Sequence, residues 1–551
     1  MQRNPRPTIL ALLFCLLFGL QSFPVPAFAA EVIVVCPGQW TGQLTRWKEH
    51  RSNQGIGCVV IPPQPTAAET QSAIRKAATN DTRYVMIVGD APTIGTPADL
   101  TCQVPIHYQP TTVTAAWNST RTLSTDLPYG DIDGDGKTDL SVGRLPVDGP
   151  SQLRDALAKI IQHETCEDFG DWRNRVSLVG GVGGFGPLID TAIETVTRTI
   201  VTGVLPGHAK THVRFGSPGH AFYPKHTTFT QAVLDDYAGG SRFWVYAGHG
   251  QVTELDRVPQ TAAGVPVLDG DSAKRLLAPD GRYPIALMLA CYTGAIDAHE
   301  DSIAEKMWLT GSGPIAVIAG CRVTMPYGNT SAAVGLIDAV YQQKKTRLGD
   351  AWLSSVQSMQ KESITQEQAA GAVQTPASTI QTLVNTLAML VSPAGSDLVA
   401  ERREHANLYN LIGDPTLTLA HPEPITFAIK PGFDRETPIQ VDLQSPIDGV
   451  MTISLDRPLG SVVKTGSVVK TGSIVETGSI VKTGAVVKTG TQAGSDPNEL
   501  TIASLSMDVT AGTQIQPSIL PPGDIVGPIV VRVHVSGQGC WAAGTAKTMV
   551  R

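Results

Sequence analysis

The residue types best suited to chemistry stand at two matching places. Phe243-Trp-Val-Tyr246 runs into Ala247-Gly248-His249-Gly250, and forty-two residues after the histidine Ala286-Leu-Met-Leu-Ala290 runs in the same way into Cys291-Tyr-Thr-Gly294. Each apolar run predicts a buried strand, and each sets a reactive side chain just past a strand's carboxyl end, where open α/β sheets bind their ligands. The glycines beside His249 let backbone and ligand come close. If the two strands are neighbours, His249 can take or hold the proton of the Cys291 thiol, and the N–H groups of Gly250 and Cys291 can face a developing oxyanion. That is acyl transfer through a Cys-His dyad. A cysteine at a strand end is more often packed or disulfide-bonded, and Cys36 and Cys321 follow similar runs, Ile33-Val-Val35 and Ile318-Ala-Gly320.

A second constellation is Asp131-x-Asp133-x-Asp135-Gly136-x-x-Asp139, with Lys137 able to add its carbonyl. Alternate carboxylates in a tight glycine loop suit a hard, seven-coordinate cation, so calcium with a structural role is expected. A full EF-hand loop has Glu in its twelfth place, which here is Val142. His208, His212, His220 and His226 lie between glycines and prolines with no helix signal, and read as exposed loop histidines rather than a zinc site. Gly180 to Gly186 lacks the Lys-Ser/Thr of a phosphate-binding loop, so no nucleotide site is expected.

The elements that must position these residues alternate between strand and helix. Glu31 to Val35, Cys58 to Ile61 and Tyr84 to Val88 are apolar strand runs, with helical spacing over Trp40 to Arg51 and a capping-box start at Thr66-Ala-Ala-Glu69 for a helix reaching Ala78. Arg175 to Val179 enters the glycine-rich turn, and Pro187 opens a helix over Leu188 to Thr202. Ser241 to Tyr246, Tyr283 to Ala290 and Pro314 to Ala319 follow as strands, with helices over 302–310, 330–343, 346–361 and 376–390. This predicts an α/β fold with two α/β sheets, 30–165 and 166–422. Beyond Pro422 short alternating strands with Pro and Gly turns predict a small β-sandwich over 423–551. Into it is inserted a hexapeptide repeat, GSVVKT and its variants, over 460–489, expected as a flexible or hairpin-like insertion.

Composition sets the outer limits. The chain has 551 residues, 42% apolar and 17% charged, enough for several cores. A formal net charge of −7 offers no general attraction for nucleic acid or anionic lipid. Arg3 and Arg6 before an apolar run from Ile9 to Leu20, then Pro24, Pro26 and Ala27-Phe-Ala29, form a secretory leader over 1–29, and no later stretch is long and apolar enough to span a membrane. The expected location is outside the cytoplasm: secreted, periplasmic or at the cell surface. Seven cysteines then remain, an odd number in an oxidising compartment, with Cys36–Cys58 and Cys102–Cys166 the locally convenient pairs.

Tyr246-Ala-Gly-His-Gly250, Ala290-Cys-Tyr-Thr-Gly294, Asp126 to Pro146 and the closing Asn410-Leu-Ile-Gly-Asp-Pro-Thr-Leu417 together resemble the gingipain-type cysteine peptidases. The resemblance covers residues 31 to about 420. It implies a caspase-like catalytic domain of two α/β subdomains followed by an immunoglobulin-like domain, with His249 as base and Cys291 as nucleophile. Some members place a third, orienting acid near the glycine-rich turn; residues 179–186 have none, and the nearest acid is Asp190. Asp190 resembles a specificity residue for a basic side chain, although acids are also common in first helical turns. The expectation is an exported cysteine endopeptidase acting on protein or peptide substrates, whose C-terminal sandwich binds a surface or partner, and which needs no organic cofactor. A peptidase-fold protein without activity, serving as a surface module, and a transpeptidase or amidase using the same dyad stay open as alternatives.

Overall fold

A computed structural model describes residues 30–184, 204–361, 376–391, 396–459, 486–489, 496–523 and 525–551. The leader expected over 1–29, the helix expected over Leu188 to Thr202 with Asp190, and most of the hexapeptide repeat lie outside the described residues. Strands β1 (Ala30–Val35), β2 (Gly57–Ile61), β3 (Tyr84–Val88) and β4 (Ser141–Leu145) are joined through helices α1 (Thr45–Asn53) and α2 (Ala67–Ala77), and α3 (Pro150–Glu164) leads on to β5 (Arg175–Gly180). There follow β6 (Lys210–Phe215), α4 (Phe229–Ala238), β7 (Phe243–Ala247), β8 (Ile285–Leu289), α5 (Ile303–Leu309) and β9 (Ala316–Gly320). Helices α6 (Pro326–Ile337), α7 (Leu348–Gln360), α8 (Pro376–Val391) and α9 (Leu398–Leu408) then lead to the four-residue strand β10 (Tyr409–Ile412).

Local chemistry sets the helix starts. Thr66 and Glu69 form the reciprocal capping box of α2, Ser302 and Glu305 form that of α5, and Pro150 and Pro326 stand in the first turns of α3 and α6. The segment expected as one helix from Trp40 begins as a tight 3-10 turn, Gly38–Leu44, before α1. The alternation of β1 and β3 divides between two cores. Val32, Val34, Tyr84 and Met86 pack with Trp40, Trp47 and Leu153, while Ile33, Val35, Val85 and Ile87 pack with Ile74 of α2 and Tyr129. This part of the sheet is thus covered on both faces.

The two expected sheets are one. Ten strands lie in the order β2-β1-β3-β4-β10-β9-β8-β7-β5-β6. Ile412 of β10 pairs in parallel with Arg144 of β4, and β10 runs antiparallel to β9, with Val317 opposite Ile412 and Gly320 opposite Tyr409. The first four strands and the last five therefore run in opposite directions and meet at β10. Buried charges lock this junction. Arg144 donates to both oxygens of Asp126 at 2.7 Å. Arg51, fully buried, reaches Glu164 at 2.5 Å and Asp414 at 2.6 Å, and Trp47 Nε1 donates to the same Asp414 oxygen. The remaining Asp414 oxygen accepts from the N–H and hydroxyl of Thr416.

All seven described cysteines are free. The register explains why Cys36 and Cys58 are not bridged. Cys58 lies opposite Val32, four residues below Cys36 on the adjacent strand, which separates them by roughly 13 Å along the strand, beyond the reach of a disulfide.

The C-terminal part is an all-β unit with its own core. β11 (Gly449–Asp456), β12 (Thr501–Val509), β13 (Gly527–Ser536) and β14 (Trp541–Val550) form antiparallel pairs in the order β14-β13-β11-β12, and Val486–Thr489 at the end of the repeat adds to β12. Leu443 and Ile519 from shorter strand pairs close the core over Met451, Ile453, Val531 and Val533. This unit sits against the last strands of the large sheet. The side chain of Asn498 bonds both the N–H and the carbonyl of Val213 on β6, at 2.8 and 2.9 Å, and Trp541 donates to Asn174 and stacks on Phe169.

Burial alone would raise the Glu164 carboxyl, but hydrogen bonds from His50 and Arg51 and the charge of Arg51 hold it well below the usual carboxylate range. Its contribution to stability is therefore complete above the unfolded carboxylate pKa and is lost as the pH falls below it. Arg51→Met should cost about 3–5 kcal/mol in urea denaturation at neutral pH, because two carboxylates lose their buried partner. The variant should also lack that part of the acid-side loss of stability.

Candidate active site

β7 and β8 are paired neighbours, with Ala247 opposite Leu289, so His249 and Cys291 each stand two residues beyond aligned strand ends. Their turns touch through the backbone. A Cβ added at Gly250 would lie 2.6 Å from Thr293 Cγ2, 2.8 Å from Cys291 O and 3.0 Å from Ala290 Cβ, so only glycine fits. The Nε2 of His249 lies 3.2 Å from the carbonyl of Gly183, in a turn where Gly183 and Gly184 have φ of +79° and +102°. A carbonyl only accepts, so in neutral imidazole Nε2 carries the hydrogen and Nδ1 is the nitrogen able to take a proton. The glycine-rich turn thus orients the histidine through a main-chain oxygen. The Tyr246 hydroxyl donates to His249 O at 2.6 Å, and Asp256, which the sequence pattern did not single out, ties this turn to the glycine-rich one by accepting from Val182 N–H at 2.8 Å.

Cys291 is half-buried and is followed by Tyr292 in the left-handed region at φ +57°, a costly conformation for a bulky residue. Neighbouring chain over-determines it. Tyr292 N–H donates to Arg322 O at 3.1 Å, Gly294 N–H to Gly320 O at 2.9 Å, and the buried Arg322 guanidinium grips Asp297 at 2.9 and 2.5 Å. The sulfur accepts from Thr324 N–H at 3.3 Å. Among the described residues the N–H groups of Gly250 and Cys291 have no acceptor, which leaves both available to an oxyanion. The other strand-end cysteines differ in their surroundings. Cys36 and Cys321 are wholly buried, and burial pushes their thiols up to about 12 and about 11, which keeps them protonated and inert.

The comparison with known families follows that geometry. Residues 26–420 match the model of peptidase family C25. The chain belongs to that family. It is therefore a cysteine-type endopeptidase, and proteins or peptides are its substrates. A solved structure of the Arg-specific cysteine proteinase gingipain R shares the fold of this C25 peptidase with TM-score 0.51 and 14% identity, over 95% of this chain and 98% of the other. Another, described as a protease, gives TM-score 0.50 at 13% identity over 96% and 98% of the two chains. The complex of pro- and mature domains of RgpB from Porphyromonas gingivalis is similar at TM-score 0.49 and 13% identity, over 95% and 100%. No curated protein matches the C25 peptidase.

The acidic loop has partly the expected form. Carboxylate oxygens of Asp131, Asp133 and Asp139 lie within 4.8 Å of one another, a donor set that fits a hard cation. Asp135 is not in that cluster; it points outward, accepting from Lys137 N–H at 2.8 Å with Lys137 Nζ 3.4 Å away. Arg75 pairs with Asp131 at 3.3 Å, so one positive charge already faces the cluster. Of the four histidines expected in loops, His212 lies instead on β6, and burial lowers both it and His208 to about 4. Asp190 lies outside the described residues. Among the described residues no helix is long and apolar enough to cross a membrane.

Gly250→Ala should leave the fold intact and lower kcat/KM by about 100-fold, because the added methyl must displace the Cys291 turn by a sizeable part of an ångström. Circular dichroism and steady-state kinetics on a peptide substrate check the two halves of that statement.

Proposed function

We propose that this C25 peptidase is an exported endopeptidase that cleaves through Cys291 and His249, preferring a basic residue before the scissile bond. The observation that supports the dyad most is the aligned register of β7 and β8 with the two turns in backbone contact at Gly250. In the reaction, His249 Nδ1 takes the Cys291 proton and the sulfur attacks the peptide carbonyl carbon. The carbonyl oxygen gains the displaced electron pair and is held by the N–H groups of Gly250 and Cys291. The C–N bond then breaks, its electron pair leaving with nitrogen, which receives the proton from the imidazolium. Water, giving its proton to Nδ1, attacks the thioester, and the C–S bond breaks to release the acid and restore the thiol.

The basic preference is supported by Asp190 as a matched position and by the specificity of gingipain R, a structure of the same fold. Calcium at Asp131, Asp133 and Asp139, with Asp135 and the Lys137 carbonyl drawn in on binding, would rigidify the loop before β4 and take no part in the chemistry. Export follows from the leader pattern. The β unit is read as an immunoglobulin-like sandwich that attaches a surface or partner.

Purified protein with calcium should be labelled at Cys291 by a peptidyl acyloxymethyl ketone carrying arginine, and the Cys291→Ala and His249→Ala variants should not. Labelling by probes with other side chains but not arginine would remove the Asp190 assignment alone, and silence across a probe panel would remove the peptidase reading. Chelation of calcium should lower the melting temperature by about 1–3 °C if binding contributes about 1–2 kcal/mol, and Asp133→Asn should abolish that sensitivity.

A further inference from the structure

The chemistry outlined so far leaves unexplained why the chain after β9 turns back over the reactive sulfur. Among the described residues Thr324 surrounds Cys291 Sγ with three polar atoms, its N–H nearest at 3.3 Å, against 3.7 Å to Thr324 O and 3.9 Å to Thr324 Oγ1. We propose that the main-chain N–H of Thr324 is a catalytic group that holds the Cys291 sulfur in its anionic form, and that Asn329, Tyr409 and His405 are positioning residues that keep it there. The inference rests on the dyad reading above.

A thiolate only accepts hydrogen bonds, so a donor fixed against it favours the anion over the thiol. The carbonyl and hydroxyl of the same residue serve the resting thiol, whose S–H can point toward either at longer range. The N–H acts at both ends of the cycle. It faces the sulfur when the proton passes to His249, and again when the C–S bond of the tetrahedral intermediate breaks and the electron pair returns to sulfur.

Such a donor is useful only if it cannot drift, and residue 324 is held from two directions. On the side-chain route, Thr324 Oγ1 accepts from Asn329 Nδ2 at 3.1 Å, and Asn329 Oδ1 accepts from the Tyr409 hydroxyl at 2.6 Å. Tyr409 is fully buried on β10, the strand that joins the two halves of the sheet. On the main-chain route, the next N–H, that of Met325, donates to His405 Nε2 at 2.6 Å. His405 Nδ1 faces the carbonyl of Glu401 at 2.7 Å and must carry the hydrogen, which leaves Nε2 as acceptor. His405 is wholly buried and wedged against α6: a Cβ at Gly328 would come within 2.1 Å of its ring. Burial lowers this imidazole to about 4, so it stays the neutral acceptor that Met325 needs.

The test reads the rate of iodoacetamide alkylation at Cys291 against pH, site by site by mass spectrometry because the other cysteines are also free. Three proteins are compared with wild type: Tyr409→Phe, Asn329→Ala, and a chain in which the peptide N–H of Thr324 is replaced by an ester oxygen with the side chain kept. Each should move the alkylation midpoint upward by about 0.5–1 pH unit and lower kcat/KM roughly 3- to 10-fold through kcat, with KM little changed. The ester chain should show the largest shift, and the shift should persist on a His249→Ala background. An unchanged midpoint in the ester chain, with wild-type circular dichroism, would overturn the proposal even if the other two variants fail to fold. Failure of the dyad reading looks different: it is absence of probe labelling in the wild-type protein, whatever the ester chain does.

Discussion

The constraint on which the rest depends is the junction at Tyr409–Ile412. Two blocks of parallel strands running in opposite directions share one sheet here through a strand between them that pairs with both, and it has four residues in which to do it. So short a ladder brings few hydrogen bonds, and side chains complete the joint. Arg144 places all its donors, giving two bonds to Asp126 and the others to the carbonyls of Gly89, Asp90, Val104 and Pro105. The Asn410 side chain accepts from Asp126 N–H and donates to Ser124 O. A buried guanidinium that is fully bonded is tolerable where an unsatisfied one is not, and it fixes one arrangement of its surroundings.

The two strand-end turns inherit their placement from that joint. His249 and Cys291 stand just past adjacent strands of one parallel block, so the ladder fixes where their two turns begin. The positive φ of Tyr292 is sustained by the bond of Tyr292 N–H to Arg322 O, just past β9, and that of Gly294 N–H to Gly320 O, at its last residue. The Asp297–Arg322 pair reaches across to Ser124 and Thr122 in the first block. The turn that carries Cys291 is thus braced by the other block.

Much of this was legible in the sequence, and the misses share a cause. Long apolar runs located β7, β8 and β9, and the pairing of β7 with β8 on which the reading of His249 and Cys291 depended is present, because strand ends are marked by composition. The single sheet was not legible, since Tyr409–Ile412 is too short to show periodicity and its motif reads as a turn; Asp414 within that motif proves to be the acceptor for Arg51 and Trp47. β6 was missed because Lys210, Thr211, His212 and Arg214 make the strand Lys210–Phe215 mostly polar and only half-buried, a composition that reads as a polar loop. The contact of His249 with the carbonyl of Gly183 was not legible either, because no residue type announces a main-chain oxygen. Cysteine counting likewise says nothing of register, and it is register that keeps Cys36 from Cys58.

The contact between Asn498 and β6 carries a consequence of its own. A carboxamide presents one acceptor and one donor in a plane, much as a peptide unit does, and here it occupies the N–H and carbonyl of Val213 that a further strand would use. Arg214 beside it is held by Asp496 and Asp236. The outermost strand of a ten-stranded sheet is thereby closed by the chain's own later residues. A catalytic body cut away from its β unit would bare that margin and become a template for aggregation, so the two parts have reason to stay on one polypeptide.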